Sequence, residues 1–140
     1  MVSLAADLYD GSYHDVDSSE MAFKIAANLA YKELVKANPV ILEPVGELKV
    51  TIPENQVGDV MGDINKRRGR VLGIGPKEGK KGYQLVEAEV PKSEMADYTI
   101  SLRAMSAGKG SFTFYFARYE EVPAANAAKI IADAKAEAEA

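Results

Sequence analysis

The chain has 140 residues, of which 47% are hydrophobic and 27% are charged, and its formal net charge at pH 7 is −4. These values suit one folded domain, or a small domain joined to part of another, and the acidic balance excludes a global attraction to nucleic acid, so any RNA contact must come from a local patch. The lack of cysteine excludes disulfides and thiolate sites, and the lack of a long apolar run excludes a membrane partner, which together predict a cytoplasmic protein.

A short strand is predicted at residues 4–9, followed by an exposed polar turn with the only histidine of the chain at its tip. The turn consists of Gly11, Ser12, Tyr13 and His14. Carboxylates and hydroxyls surround it, but a catalytic triad needs partners from distant segments and an oxyanion hole. A calcium loop starting at Asp10 would need glycine where Asp15 stands, and one histidine with carboxylates does not make a zinc site. We therefore predict neither a catalytic nor a metal site here.

The helix that follows this turn is predicted at residues 18–37. Asp17 and Glu20 have the spacing of a capping box, and Val16 and Met21 have the positions of a hydrophobic staple. The next proline ends the helix, because proline lacks an amide proton and disfavours helical backbone just before itself. The two carboxylates are therefore assigned a structural role.

The rest of the chain alternates between strand and helix patterns. Strands are predicted at residues 48–52, 70–74, 83–90 and 111–119, with helices opening at Pro53 and Pro91. This order is that of the ferredoxin-like split βαβ fold, an α+β architecture in which one antiparallel sheet has both helices on one face. Gly69 is predicted at the left-handed position that ends the first of these helices. A further helix is predicted in the alanine-rich tail.

The two faces of the predicted sheet differ in chemistry. The buried face is predicted to carry Leu48, Val50, Ile52, Val86, Ala88, Val90, Phe112, Phe114 and Phe116. The open face carries Lys49, Thr51, Glu87, Glu89, Thr113 and Tyr115. RNA-recognition domains of this topology stack bases on aromatic side chains of the first and third strands. Because those strands offer carboxylates here, the open face is not predicted to be a base-stacking platform.

Cations gather at the two ends of the predicted sheet. One end carries Lys66, Arg67, Arg68 and Arg70, and the other carries Lys77, Lys80, Lys81 and Lys109. Each group is compatible with RNA contact and equally with charges that are simply solvated.

The segment YDGSYHDVDSSEMAFKIA resembles the end of the fourth domain of bacterial elongation factor G, the translocation GTPase. The likeness continues through ANPVILEPV, IPENQVGDVMGDINKRRGRVLG, VPKSEM, LRAMSAGKGSFTF and YEEVP. The resemblance implies three parts. Residues 1–41 are the end of the fourth domain, an incomplete strand-plus-helix piece; residues 42–122 are a ferredoxin-like fifth domain; residues 123–140 are a carboxy-terminal helix.

The resemblance also implies a partner, the ribosome. The turn formed by Gly11, Ser12, Tyr13 and His14 matches the family's fourth-domain tip, which reaches the tRNA–mRNA duplex at the decoding centre. The fifth domain faces ribosomal RNA and proteins of the large subunit, and its candidate contacts are Lys66, Arg67, Arg68, Lys80 and Lys109. The function implied is GTP-dependent translocation of tRNA and mRNA.

The glycine-rich segments of this chain do not match the phosphate-cradling loop of GTPases. The loop pattern requires four residues between two glycines, then lysine and serine or threonine, and neither Gly75–Lys81 nor Gly108–Ser111 has that spacing. The chain is therefore not expected to be an enzyme by itself. GTP and Mg²⁺ are expected only in a GTPase domain that these residues do not include.

Alternatives remain at this level. EPVGELKV stands where the family usually has EPIMKVEV, and SEMADY where it has SEMFGY, so a ribosome recycling or ribosome-protection paralogue fits as well. A stand-alone ferredoxin-like interaction module is an alternative outside the family. The incomplete amino-terminal piece cannot build a core of its own, which predicts that the fragment self-associates through it.

Overall fold

The computed structural model describes residues 5–139 and divides the chain into two compact units, Met1–Pro39 and Val40–Ala140. The first unit has helix α1, Glu20–Glu33, which continues as a 3₁₀ turn at Leu34–Ala37. Asn38 then takes the left-handed conformation, with φ of 54°, and ends the helix.

The start of α1 differs from the prediction. Ser19 is the N-cap, and its hydroxyl accepts a hydrogen bond from the Ala22 N–H at 3.1 Å. Asp17 cannot take this position because it lies inside a turn at residues 15–17, so the helix begins only after the turn ends. Val16 is 99% exposed and forms no hydrophobic staple.

The predicted strand at residues 4–9 is also not formed. Leu4 lies outside the described residues, and residues 5–9 have no regular secondary structure. A strand needs a neighbour for its backbone hydrogen bonds. Within Met1–Pro39, the described residues include no second strand that would supply one.

The second unit is built on a four-stranded antiparallel sheet with strand order β2-β3-β1-β4. The strands are β1 Leu42–Pro53, β2 Arg70–Pro76, β3 Tyr83–Pro91 and β4 Ser111–Glu121. The helices are α2 Val57–Lys66, α3 Tyr98–Met105 and α4 Ala124–Glu139. Along the chain these elements follow one another as β1, α2, β2, β3, α3 and β4. This strand, helix, strand, strand, helix, strand order confirms the ferredoxin-like fold, and α4 confirms the helical tail.

The core lies between one face of the sheet and helices α2 and α3. Its fully or almost fully buried residues are Leu48, Val50, Ile52, Val60, Ile64, Val86, Ala88, Val90, Tyr98 and Leu102. Phe112 and Phe114 are half-buried against this cluster, and the Phe112 ring meets the Tyr98 ring edge to face at 4.9 Å between centroids. The predicted buried face is therefore confirmed for all its members except Phe116.

Phe116 is 60% exposed, although it shares a face with Phe112 and Phe114 and lies before the β-bulge that interrupts the pairing of β1 with β4. Val45 pairs with Arg118 while Gly46 pairs with Phe116, so Ala117 is left without an opposite residue. A bulge bends its strand and turns later side chains by one position. Phe116 packs against Tyr119, with ring centroids 5.2 Å apart, rather than in the core.

Gly69 does not have the left-handed conformation that its sequence position predicts. That conformation belongs to Arg68, with φ of 58°. Glycine is needed at position 69 for space instead, because a Cβ there would lie 2.6 Å from the Ile64 Cγ2 and 2.9 Å from the Val90 Cγ2. The close approach lets the chain leave α2 and enter β2 directly against the core.

Candidate nucleic-acid interface

The turn around His14 is closed by Ser18, a residue that sequence reasoning assigned only to the helix. The Ser18 N–H donates to the His14 carbonyl oxygen at 2.9 Å, and the His14 N–H donates to the Ser18 Oγ at 2.7 Å. These reciprocal bonds place His14 at the beginning of a turn over residues 15–17, not at the end of one. The sequence signal for this closure is the serine four residues after His14, whose hydroxyl can accept the His14 N–H.

The side chains of this turn face solvent. Gly11, Ser12, Tyr13 and His14 are all exposed, and the Gly11 N–H donates to the Asp10 Oδ1 at 2.8 Å. Among residues 5–139, no group of three or more histidine and carboxylate side chains is placed to hold a metal ion. The exposed imidazole of His14 and the hydroxyls of Ser12 and Tyr13, just before the turn, can donate hydrogen bonds to phosphates, and the two rings can stack on bases.

Arg67, one of the predicted RNA contacts, is built into the fold. Its exposed fraction is only 9%, and its guanidinium donates to Asp63, to both carboxylate oxygens of Asp97, to the Glu94 carbonyl oxygen and to the Ser101 hydroxyl. Hydrogen bonds to Asp97 are the main cause that raises the pKa of Arg67. With its donors engaged, Arg67 is not available to bind phosphate.

Arg68 has a similar structural role. Its guanidinium makes a two-pronged bond to the Glu43 carboxylate, at 2.8 Å to each oxygen, and donates to the Glu94 Oε1 at 3.0 Å. Both bonds raise the pKa of Arg68, with Glu43 as the main cause. Arg67 and Arg68, which the sequence nominated as candidate ribosome contacts, are thus both engaged in ion pairs within the fold. The two carboxylates that bind Arg68 come from the start of β1 (Glu43) and from the segment before α3 (Glu94).

A third ion-pair group, on the open face of the sheet, joins three strands. Arg70 on β2 and Arg118 on β4 both donate to the Glu89 carboxylate on β3, at 2.5 Å and 2.7 Å, and Arg118 also donates to Glu120. The two guanidiniums, Arg118 first, hold the pKa of Glu89 at about 2. Sequence reasoning missed Arg118 because the bulge puts it on this face. The Arg70–Glu89 pairing follows from strand register alone.

The open face is consequently less repulsive to phosphate than its carboxylates suggested. Glu89 is paired as above, and Glu87 binds the Lys49 ammonium at 2.8 Å. Hydrogen bonding to Glu87 is the main cause that raises the pKa of Lys49. On this face Glu87 and Glu89 are paired with cations, Glu47 is exposed, and Tyr115 beside them is 62% exposed.

Lysines at the opposite end of the sheet stay exposed. Strand register puts residues 77–82 and the start of β4 at the same end, since Pro76 pairs with Gln84 and Thr51 pairs with Ser111. A cleft lined by Lys77, Leu85 and Ser111 joins the two segments. Lys77, Lys80, Lys81 and Lys109 are exposed there, and we call this group the lysine end. Lys66 is also exposed, but it lies at the other end of the sheet, with Arg67, Arg68 and Arg70.

Turns fix the backbone of the lysine end. The Lys77 N–H donates to the Tyr83 carbonyl oxygen at 2.9 Å, which closes the hairpin between β2 and β3. The Lys80 ammonium lies 3.7 Å from the centroid of the Tyr83 ring, a cation–π contact that leaves the other side of the ammonium open. The Lys109 N–H donates to the Ser106 carbonyl oxygen at 3.0 Å.

Comparison with known proteins agrees with the two-unit division. Residues 1–38 match the family described as elongation factor G, domain IV, and residues 40–130 match the family described as elongation factor G C-terminus. The chain belongs to the elongation factor G family. A solved crystal structure of a protein from Thermus thermophilus is similar over 89% of this chain, with 44% sequence identity and a TM-score of 0.76.

The similarity covers most of this chain but only a small part of the Thermus thermophilus protein. This chain covers only 19% of the length of that Thermus thermophilus protein. It therefore corresponds to the domain IV and carboxy-terminal regions of the elongation factor G family and not to a whole factor. Within residues 5–139, no helix combines the length and apolar character that crossing a membrane requires.

Proposed function

We propose that this chain is the ribosome-binding carboxy-terminal part of a translational GTPase that promotes GTP-dependent translocation of tRNA and mRNA. The observation that supports this most is the succession of a domain IV match and a C-terminus match along one chain, with an exposed polar turn in the first. Nucleotide binding and hydrolysis, with GTP and Mg²⁺, are assigned to a region that these 140 residues do not contain. Its place of action is the cytoplasm, where ribosomes are.

The turn around His14 is the proposed contact to the decoding centre. His14 and Tyr13 are exposed, and Ser18 holds the backbone of His14, so the imidazole meets RNA without first ordering this residue. Pre-organisation of this kind reduces the entropy lost on binding. The role is one of contact and positioning beside the tRNA–mRNA duplex.

The lysine end is the proposed contact of the second unit to ribosomal RNA. Its four lysines are exposed and, among the described residues, no carboxylate forms an ion pair with Lys77, Lys80, Lys81 or Lys109. Unpaired lysines release counterions when they meet phosphates, which is the main source of affinity for nucleic acid. Arg67 and Arg68 are instead assigned a structural role: Arg67 joins the end of α2 to the start of α3, and Arg68 bonds to Glu43 at the start of β1.

Ribosome pelleting across a salt series tests the proposal. The purified chain should sediment with ribosomes at low salt, and the logarithm of its affinity should fall linearly with the logarithm of the salt concentration. It should also be displaced by a full-length translocation factor of the same family. A chain that stays in the supernatant at low salt, or that sediments without being displaced, contradicts the proposal.

A further inference from the structure

Two neighbouring strands place a ladder of polar side chains on the open face of the sheet. The pairs that β1 and β4 form there are Thr51 with Ser111, Lys49 with Thr113, and Glu47 with Tyr115. Residues directly opposite each other in an antiparallel pair share a face, and that face recurs about every 7 Å along each strand. We call these six residues the polar ladder. Its first pair lies at the lysine end, and its last pair lies toward the middle of the sheet.

The part of the polar ladder at the lysine end has the side chains that bind phosphate. Thr51, Ser111 and Thr113 line a cleft of about 360 Å³ together with Lys49 and Lys77. Among residues 5–139, none of the three hydroxyls forms a side-chain hydrogen bond, so each keeps its donor. Lys77 is exposed beside them. Lysine and hydroxyl side chains are among those that contact phosphate oxygens in nucleic-acid complexes.

The other end of the polar ladder offers a surface for stacking. Tyr115 is 62% exposed, and no other aromatic ring within residues 5–139 packs against it. Thr113, the preceding residue on this face, lies about 7 Å away along the strand. A nucleotide whose phosphate lies in the cleft can therefore place its base on the Tyr115 ring. Stacking on aromatic side chains is a common way for proteins to hold unpaired bases of RNA.

Glu47, directly opposite Tyr115, adds a requirement on the base. It is exposed, and in the part of the chain that the structure describes no cation forms an ion pair with it. An ionised carboxylate accepts hydrogen bonds and donates none. Guanine alone among the RNA bases has two adjacent N–H donors, N1–H and N2–H₂, on its Watson–Crick edge. The other three bases place acceptor atoms beside their donor, so a carboxylate at this position favours guanine.

The polar ladder requires a base that is out of the helix stack. In a duplex both faces of a base are covered and its Watson–Crick edge is paired, so neither the Tyr115 ring nor the Glu47 carboxylate reaches it. The sequence argued against base stacking because β1 and β3 carry carboxylates on this face. Tyr115 lies instead on β4, at the edge of the sheet and beyond β1, so a single strand of RNA can pass along it without crossing β3.

We propose that the polar ladder, with Lys77, is a binding site for one unstacked guanine nucleotide in a single-stranded loop of RNA. Lys77 and the hydroxyls of the cleft hold the phosphate, Tyr115 stacks on the base, and Glu47 accepts from its N1–H and N2–H₂. The inference rests on the proposed RNA contact at the lysine end, and it deepens that proposal by naming the form of the RNA and the base.

Fluorescence anisotropy with the purified chain tests the base preference. The first probes are short single-stranded uridine oligomers that carry guanosine, adenosine, cytidine or uridine at the centre. We expect the guanosine oligomer to bind about tenfold more tightly than the other three, which is the discrimination expected from two hydrogen bonds to one base. Two RNA hairpins of equal length and composition, with the guanosine in the loop or in the stem, are the second probes. The loop hairpin should bind about tenfold more tightly than the stem hairpin.

Substitutions on β1 and β4 separate base choice from stacking. Glu47→Gln should remove the preference for guanosine without weakening binding of the uridine oligomer, because the glutamine amide has only one acceptor atom and adds two donors. Tyr115→Ala should weaken binding of every oligomer by about tenfold, and Tyr115→Phe, which keeps the ring, should bind as the wild type does. Phe116→Ala is the matched control, since Phe116 is 60% exposed on the opposite face, and it should change no affinity.

Circular dichroism verifies that each variant is folded. Equal affinities for the four oligomers, or for the two hairpins, overturn the proposal. So does a guanosine preference that persists in Glu47→Gln, or a Tyr115→Ala chain that binds as tightly as Phe116→Ala. Ribosome pelleting separates this inference from the proposed function. A chain that sediments with ribosomes but has no guanosine preference contradicts the inference alone, and a chain with the preference that does not sediment contradicts the proposed function alone.

Discussion

Arg67 and Asp97 form a two-pronged ion pair that joins the end of α2 to the start of α3. The Arg67 Nη1 donates to the Asp97 Oδ1 at 2.6 Å and Nη2 donates to Oδ2 at 3.2 Å. The guanidinium also lies 5.1 Å from the centroid of the buried Tyr98 ring. One side chain thus holds helices α2 and α3 together at the end of the sheet opposite the lysine end.

Arg67→Ala should lower the free energy of unfolding by about 3 kcal/mol, because it leaves the Asp63 carboxylate and the Glu94 carbonyl oxygen without their donor. Urea denaturation measures the change. Arg103→Ala, at an exposed arginine in the last turn of α3, is the control and should cost less than about 0.5 kcal/mol. Equal losses for the two variants would mean that the Arg67 contacts contribute nothing beyond a surface charge.

Gly46→Ala should destabilise the second unit by about 2 kcal/mol or more. A Cβ at this position would lie 2.3 Å from the Phe114 Cζ and 2.6 Å from the Tyr115 carbonyl oxygen, so the ring and the strand must both shift. Gly62→Ala is the matched control in α2, where an added Cβ meets no atom within 4 Å, and it should stabilise by about 0.5–1 kcal/mol. Thermal unfolding compares them; a neutral Gly46→Ala would contradict the close packing.

Acid should destabilise the fold through Glu89. The Arg118 and Arg70 guanidiniums lower the pKa of Glu89 from 4.5 to about 2 in the folded chain. A carboxyl group whose pKa is lower in the folded state stabilises the fold above its unfolded pKa, and this contribution is lost as the pH falls through the folded value. Stability should therefore fall between about pH 4.5 and pH 2, and the Arg67 contact, which lowers the pKa of Asp97 to about 2, adds to the fall.

Glu89→Gln provides the check on this pH dependence, because glutamine does not titrate. Its melting temperature should be lower than that of the wild type at neutral pH, and its decline on acidification should be shallower. Asp133→Asn on the exposed helix α4 is the control and should decline as the wild type does. A Glu89→Gln chain with the slope of the wild type would show that the Glu89 ion pairs do not contribute.

Much of the fold was predictable because it depends on local patterns. Alternation in β1 and β3 predicted which side chains are buried, and the element order predicted the sheet. Phe116 shares the face of Phe112 and Phe114 but is 60% exposed, which alternation does not predict. The bulge at Ala117, which moves Arg118 to the open face, depends on how β4 pairs with β1 and has no signal in β4 itself.

The candidate sites were predictable only in part, for a similar reason. Arg67 and Arg68 are visible as cations, but carboxylate partners such as Asp97 and Glu43 lie 30 and 25 residues away from them along the chain. Burial and pairing of this kind depend on tertiary packing. The lysine end was predictable from topology alone because its members lie on the loops at one end of the sheet.

If the turn around His14 has the proposed contact role, His14→Ala in a full-length factor should slow translocation and leave ribosome-stimulated GTP hydrolysis nearly unchanged, because no nucleotide-binding motif lies in this segment. Ser18→Ala should give a smaller effect in the same direction, since it removes the acceptor of the His14 N–H and loosens the turn. Lys24→Ala, at an exposed position on α1, should change neither rate. Pre-steady-state kinetics separates the two steps. Equal loss of both activities in His14→Ala would remove the proposed role of the turn.

The most direct test of ribosome binding through the lysine end is the salt dependence of the affinity for ribosomes, measured on two charge-matched double variants. Lys80→Glu with Lys109→Glu changes the lysine end, and Lys129→Glu with Lys135→Glu makes the same change on the exposed helix α4. We predict that the first pair weakens binding by about tenfold or more and flattens the slope of log affinity against log salt by about two, while the second pair leaves both values unchanged. Equal effects of the two pairs, or no effect of the first, would contradict a specific RNA contact at the lysine end.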